Sequence, residues 1–173
     1  MSMELDQLLN RYEQGHISRR ELLGALAAMV LAGPAIAADQ PAIGTVKQLN
    51  HVTLLVQDVQ KSVTFYQSFF GMPVLTPQDP GINLKAGAGF LGIYPAQQGR
   101  ALGIDHVCLG IERFDPDAVL KRLTDRGLEA SIRLRGDTKE LYFTDPDNVR
   151  VQLQDVRYRG GVGPLGDRDP KPK

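Results

Sequence analysis

Two histidines stand at equivalent points of an internal repeat: His51-Val52 recurs as His106-Val107, each within a stretch of alternating side chains. Neutral imidazoles brought together from two strands, plus one oxygen donor, make a facial site that leaves positions open for substrate or water. Such sites suit divalent first-row metals, here Fe, Mn, Zn or Ni. The oxygen donor on offer is the amide carbonyl of Gln152, a neutral group that holds a metal less tightly than a carboxylate would. A single histidine on a strand usually serves as an ordinary hydrogen-bonding residue. Repeated placement is what favours the ligand reading. His16 lies outside the repeat and has no assigned role.

The elements that must position these groups follow from hydrophobic periodicity. From Asn50 to Val56, His51, Thr53 and Leu55 alternate with Val52, Leu54 and Val56, the pattern of a strand. Asp58 can cap the helix that follows, Val59, Val63, Tyr66 and Phe70 form its apolar stripe, and Gly71 and Pro73 end it. The second copy repeats the plan. Ile104 to Ile111 alternates, Asp115-Pro116 starts a helix, Val119, Leu120 and Leu123 face inward, and Gly127 closes it. Short strands follow each helix: Pro73–Leu75, Ile82–Ala86 and Phe90–Tyr94 in the first copy, Leu128–Leu134, Glu140–Thr144 and Arg150–Asp155 in the second.

The expected fold is therefore α+β. Two tandem βαβββ modules, residues 47–95 and 103–157, form one curved mixed sheet with the helices outside and a cup inside. In the last strand Val151 and Leu153 match the helix-facing residues, which turns Arg150, Gln152 and Gln154 inward. The cup should then hold His51, Thr53, His106, Cys108, Arg150, Gln152 and Gln154. A dry structural face would not carry these groups, since each unsatisfied buried polar group costs ~1–3 kcal/mol.

The remaining chain bounds the function. Lysine plus arginine and aspartate plus glutamate number 20 each, with no basic stripe, which argues against nucleic acid as partner. Cys108 is the single cysteine, so neither an intrachain disulfide nor a multi-cysteine zinc site can form. Residues 1–38 carry two readings. Arg19-Arg20, an apolar run from Leu22 to Leu31 and Ala35-Ile36-Ala37 have the order of a twin-arginine export signal with its cleavage site. Equally, Ser18 and Glu21 have capping-box spacing, and Leu5, Leu8, Leu9 and Tyr12 share a face, as in a helical hairpin. The apolar run is too short to span a membrane, which takes ~20 residues. Residues 39–46 read as a linker and 158–173 as a flexible tail.

Three segments, LNHVTLLVQDVQKSVTFYQSFFGM, GIDHVCLGI and LYFTDPDNVRVQLQD, resemble the vicinal oxygen chelate superfamily, which includes glyoxalase I, extradiol dioxygenases, fosfomycin-resistance enzymes and bleomycin-binding proteins. The resemblance implies metal ligands at His51 and His106, and puts Gln152 where the family has glutamate. It also implies a role for Tyr142, in its Tyr-Phe-x-Asp-Pro-Asp context, either in support behind the metal ligands or as an acid/base. Glyoxalase I takes a further ligand from the fourth strand of its first module. Phe90-Leu91-Gly92-Ile93 supplies none, so that reaction is not expected. The leading expectation is a mononuclear metalloenzyme of dioxygenase, isomerase or lyase type. It would act on a small oxygenated molecule, with Thr53, Cys108, Arg150 and Gln154 around the substrate. The rival is a metal-free drug- or metabolite-binding protein, and a third reading is an assembly module. Fold alone does not choose among them. Relatives commonly form homodimers. Export would place the protein outside the cytoplasm, and its absence inside.

Overall fold

The computed structural model describes residues 2–31 and 41–170. The chain forms two compact units, Met1–Pro41 and Ala42–Lys173.

The first unit holds α1 (Ser2–Glu13) and α2 (Arg19–Leu31). The capping box is formed: Ser18 donates through its N–H and its Oγ to Glu21 Oε2, at 2.8 and 2.7 Å, and Glu21 N–H returns to Ser18 Oγ at 3.3 Å. The Ala35-Ile36-Ala37 cleavage motif lies outside the described residues. Among the described residues no helix is long and apolar enough to cross a membrane.

In the second unit β1 (Val46–Val56) runs into α3 (Val59–Phe70), followed by β2 (Val74–Gln78), β3 (Gly81–Ala86) and β4 (Gly89–Pro95). The plan recurs as β5 (Gly103–Ile111), α4 (Pro116–Thr124), β6 (Ala130–Arg135), β7 (Thr138–Thr144) and β8 (Arg150–Asp155). Eight strands make one sheet in the order β2-β3-β4-β1-β5-β8-β7-β6. β1 joins β4 and β5 joins β8 in parallel, while β1 and β5 meet antiparallel at the centre. This is the mixed sheet of two βαβββ modules expected from the repeat.

Both helices begin where a side chain can replace the missing backbone partner. Asp58 accepts from Lys61 N–H at 2.9 Å, and Asp115 accepts from Asp117 and Ala118 N–H, each at 3.1 Å. Val63 packs with Leu84 and Ile93 under α3. Val119 and Leu123 pack with Ile111, Leu141, Val151 and Leu153 under α4. These apolar layers occupy the sheet face opposite the histidines.

Two expectations need correction. Phe70 is not part of the buried stripe. It is 67% exposed at the last turn of α3, in ring contact with Phe65 and Tyr66, because Gly71 turns the chain away there. Nor are residues 158–170 a free tail. Tyr158 is 5% exposed, Thr138 Oγ1 donates to Gly163 O at 2.5 Å, and Gly163 N–H donates to Asp137 Oδ1 at 3.0 Å. The glycines that suggested flexibility instead let this backbone lie close against polar side chains of the sheet.

Candidate metal centre

Register decides which groups meet. His51 on β1 pairs with Phe90 on one side and Cys108 on the other. Cys108 pairs with Gln152, and Gln152 with Tyr142. One transverse row thus reads Phe90, His51, Cys108, Gln152, Tyr142. His106 stands one row along, opposite Thr53.

Each histidine follows a β-bulge. Where β1 advances from Leu49 to His51, β5 advances only from Leu109 to Cys108, so Asn50 is the extra residue. By the same count Asp105 is extra between Ile104 and His106. The bulges bring the preceding side chain beside each imidazole. His51 Nδ1 lies 2.9 Å from Asn50 Oδ1, and His106 Nδ1 lies 2.6 Å from Asp105 Oδ2. Gly89, on β4, is required alongside, since a Cβ there would lie 2.3 Å from Asn50 O.

These contacts fix the tautomers. Asn50 Nδ2 donates to Tyr158 O at 3.0 Å, so its Oδ1 faces His51, and an oxygen can only accept. A carboxylate likewise only accepts from His106. Both Nδ1 atoms therefore carry hydrogen, and in the neutral rings a metal would require, both Nε2 atoms present lone pairs, 3.2 Å apart. Burial, with the neighbouring His106 adding to it, pushes His51 well below the usual histidine range, so the ring is neutral near pH 7. Two lone pairs facing at that distance repel unless a cation sits between them. Two nitrogens bound to one metal at about 2.0–2.1 Å stand about 3 Å apart, so the spacing suits a shared metal.

Gln152 is the candidate for a third donor. It stands in the same transverse row as His51, and its Nε2 is buried without a partner among the described residues. An orphaned buried amide costs ~1–3 kcal/mol, which marks a site left incomplete by the protein's own groups. Among the described residues no third histidine, cysteine or carboxylate joins the pair. The donor set His51, His106 and Gln152 fits a divalent ion, with the hydrogen-bonded imidazoles usual for metal ligands.

The centre opens into a cavity of about 400 Å³. Thr53, Arg150 and Tyr142 line it as expected. Cys108 and Gln154 do not. Both are buried, but Cys108 lies between His51 and Gln152, while the Gln154 amide is spent on Lys139 O at 3.1 Å. Burial pushes the Cys108 thiol well up, which keeps it protonated and inert. Arg150 donates to Asp105 Oδ2 at 2.7 Å, and its guanidinium stacks 4.2 Å above the Tyr142 ring.

Several cavity groups escaped sequence reasoning. Glu140 is buried and accepts from Tyr142 and Tyr158 hydroxyls at 3.1 and 2.8 Å, and from Arg133 at 2.6 Å. Arg135 lies 3.6 Å from the same carboxylate. Alternation with Tyr142 along β7 carried the signal for Glu140. Burial first, then the Glu140 charge, raise Tyr142 far above the usual tyrosine range, so its hydroxyl keeps its proton.

The family model for the Glyoxalase/Bleomycin resistance protein/Dioxygenase superfamily matches residues 48–153. The chain belongs to this superfamily. Among curated relatives of the superfamily chain, the metallothiol transferase FosB of Staphylococcus saprophyticus is 28% identical over 131 residues, 71% of this chain and 82% of the relative. The glutathione transferase FosA of Serratia marcescens is 26% identical over 115 residues, 62% and 79% of the two chains. Among solved structures, methylmalonyl-CoA epimerase from Mycobacterium tuberculosis has a TM-score of 0.52 at 19% identity, covering 66% of this chain and 91% of its own. The 2,3-dioxygenase LapB from Pseudomonas sp. KL28 has a TM-score of 0.53 at 19% identity, covering 66% and 42%. At these identities the solved structures share the superfamily fold alone. The named relatives are enzymes, in line with the leaning of the sequence.

Proposed function

We propose that the protein is a mononuclear metal-dependent enzyme acting on a small, oxygenated, negatively charged molecule. His51, His106 and Gln152 hold a divalent first-row metal, one of Fe, Mn, Zn or Ni. The observation that carries this reading is the pair of lone-pair-bearing Nε2 atoms 3.2 Å apart on the floor of the cavity, with both Nδ1 atoms already committed. The curated relatives support it, since they include a metallothiol transferase. The bound ion would act as a Lewis acid toward substrate oxygen.

The chain's own groups do the rest. Arg100, Arg133, Arg135 and Arg150 line the cavity against Asp79, Asp105 and Glu140, an excess of positive charge that favours an anion. Tyr142 spends its one hydroxyl hydrogen on Glu140 and carries the Arg150 guanidinium on its ring, so its part is to position Arg150 toward developing negative charge on substrate oxygen. Phe90 stacks on His51 at 4.2 Å and keeps water from that side of the ring. Arg19-Arg20, opening α2 ahead of its apolar run, supports export, and N-terminal sequencing of secreted protein that starts near Ala38 would check it.

Elemental analysis tests the centre. Purified wild-type protein should carry about one first-row metal per chain, as a three-ligand site does. The His51→Ala/His106→Ala variant should carry none. Equally low metal in both selects the second reading, a metal-free small-molecule binder, which the neutral Gln152 in place of a carboxylate favours.

A further inference from the structure

We infer that the segment after β8, residues 156–163, is a strap that sets the orientation of His51, with Asn50 as the positioning residue between them. The inference rests on the metal-centre reading above. Asn50 is 1% exposed, and its amide is used at both ends. Oδ1 accepts from His51 Nδ1–H at 2.9 Å, and Nδ2 donates to Tyr158 O at 3.0 Å. A carboxylate could support the imidazole but could not donate onward to a carbonyl, so only an amide can link ring and strap here.

Beyond Tyr158 the strap is fastened to both modules. Thr76 Oγ1 donates to Arg159 O at 3.0 Å and Gln78 Nε2 to Gly160 O at 2.6 Å, both from β2. Arg135 donates to Gly160 O at 3.1 Å from β6. Only glycine fits at position 160. Its φ is +70°, and a Cβ there would lie 2.2 Å from Asn83 Nδ2. The Tyr158 ring lies 5.6 Å from His51 and 6.1 Å from Phe90, and so closes the cavity wall beside the imidazole. The tether of His51 thus passes through Asn50 to a strap anchored by Thr76, a residue that neither lines the cavity nor touches the ring.

Zinc affinity, measured by competition with a chromophoric chelator, tests this in the full chain for wild type, Asn50→Leu, Thr76→Val, the double variant and Thr124→Val. Asn50→Leu should weaken zinc binding about 10- to 100-fold, the usual effect of losing a partner behind a ligating imidazole. Thr76→Val should weaken it several-fold. The double variant should bind no more weakly than Asn50→Leu alone, because both losses act along one path. Thr124→Val makes the same substitution at a hydroxyl bonded within α4, away from strap and cavity, and should bind zinc like wild type, which separates the tether from general loosening.

Unchanged affinity in Thr76→Val, losses that simply multiply in the double variant, or a Thr124→Val loss equal to that of Thr76→Val would each overturn the strap. Should Asn50→Leu not fold, Thr76→Val against Thr124→Val still decides. Folded wild type that binds no zinc overturns the metal centre and the strap with it. Wild type and Thr76→Val binding zinc equally overturns the strap alone.

Discussion

In the first module His51 is backed by the amide of Asn50, stacks face to face on Phe90 and borders Tyr158. In the second, His106 is backed by the carboxylate of Asp105 and meets the edge of the Tyr142 ring at 5.4 Å. The bulge is the same in both, but the support is not. The hydrogen bond from His106, then Arg150 and Arg100, outweigh burial and hold Asp105 at about 2, so it remains a carboxylate throughout the working range of pH. A charged partner raises the basicity of the imidazole it orients, and a neutral one does so less. His106 is therefore the stronger donor and His51 the more enclosed one. On the proposed reading, with Gln152 as a neutral third donor, a divalent ion would keep most of its charge and, together with the cavity arginines, would draw an anionic ligand.

The largest expected effects come from removing either imidazole. His106→Ala and His51→Ala should each weaken zinc binding by more than the roughly 10- to 100-fold lost with an outer partner, and His106→Ala should cost more. The reverse order, read by chelator competition, would break the comparison. Next in size, Gln152→Glu adds a charged donor and should tighten zinc retention. No change would remove Gln152 from the centre. Smaller again, Asp105→Asn makes the second module like the first and should weaken zinc about 10-fold. Full affinity in that variant would show that the charge difference between the modules has no consequence.

Much of this was legible without coordinates. The period of two along β1, β5 and β8 placed His51, Thr53, His106, Arg150 and Gln152 on one face, and the repeat placed the two histidines together. The same alternation would have put Glu140 beside Tyr142 on β7 had it been carried through that strand. Asn50 and Asp105 could not be found that way, because a bulge breaks the period. Their signal was the residue before each His-Val, an amide in one copy and an acid in the other. Cys108 and Gln154 show the limit of facing as a guide. Both point to the concave side, but only register says which rows reach the cavity. Tyr158 was lost to composition, since its burial depends on Asn50 and Glu140, partners far away in sequence.

The last predicted effect is on stability and not on zinc, and concerns the wall shared by the two modules, where Glu140 gathers Tyr142 and Tyr158. Burial alone would raise the Glu140 carboxyl, but Arg133, the Tyr158 hydroxyl and Arg135 outweigh it and hold the group below its ordinary value of 4.5. Lowered on folding, it contributes stability that is fully present above about pH 4.5 and is lost as pH falls through the folded value. Glu140→Gln cannot titrate. Near neutral pH it should therefore be less stable than wild type by about 1–3 kcal/mol, the cost of leaving buried hydroxyls and guanidiniums poorly matched. That gap should narrow as the pH falls below 4.5. Urea unfolding of both proteins across this range is the measurement. Because Arg133 is 59% exposed, solvent screens much of the pair, which keeps the expected loss below that of a fully buried ion pair. A gap that stayed constant with pH would assign the loss to packing around the two tyrosines and leave the carboxylate charge without a share in holding the wall.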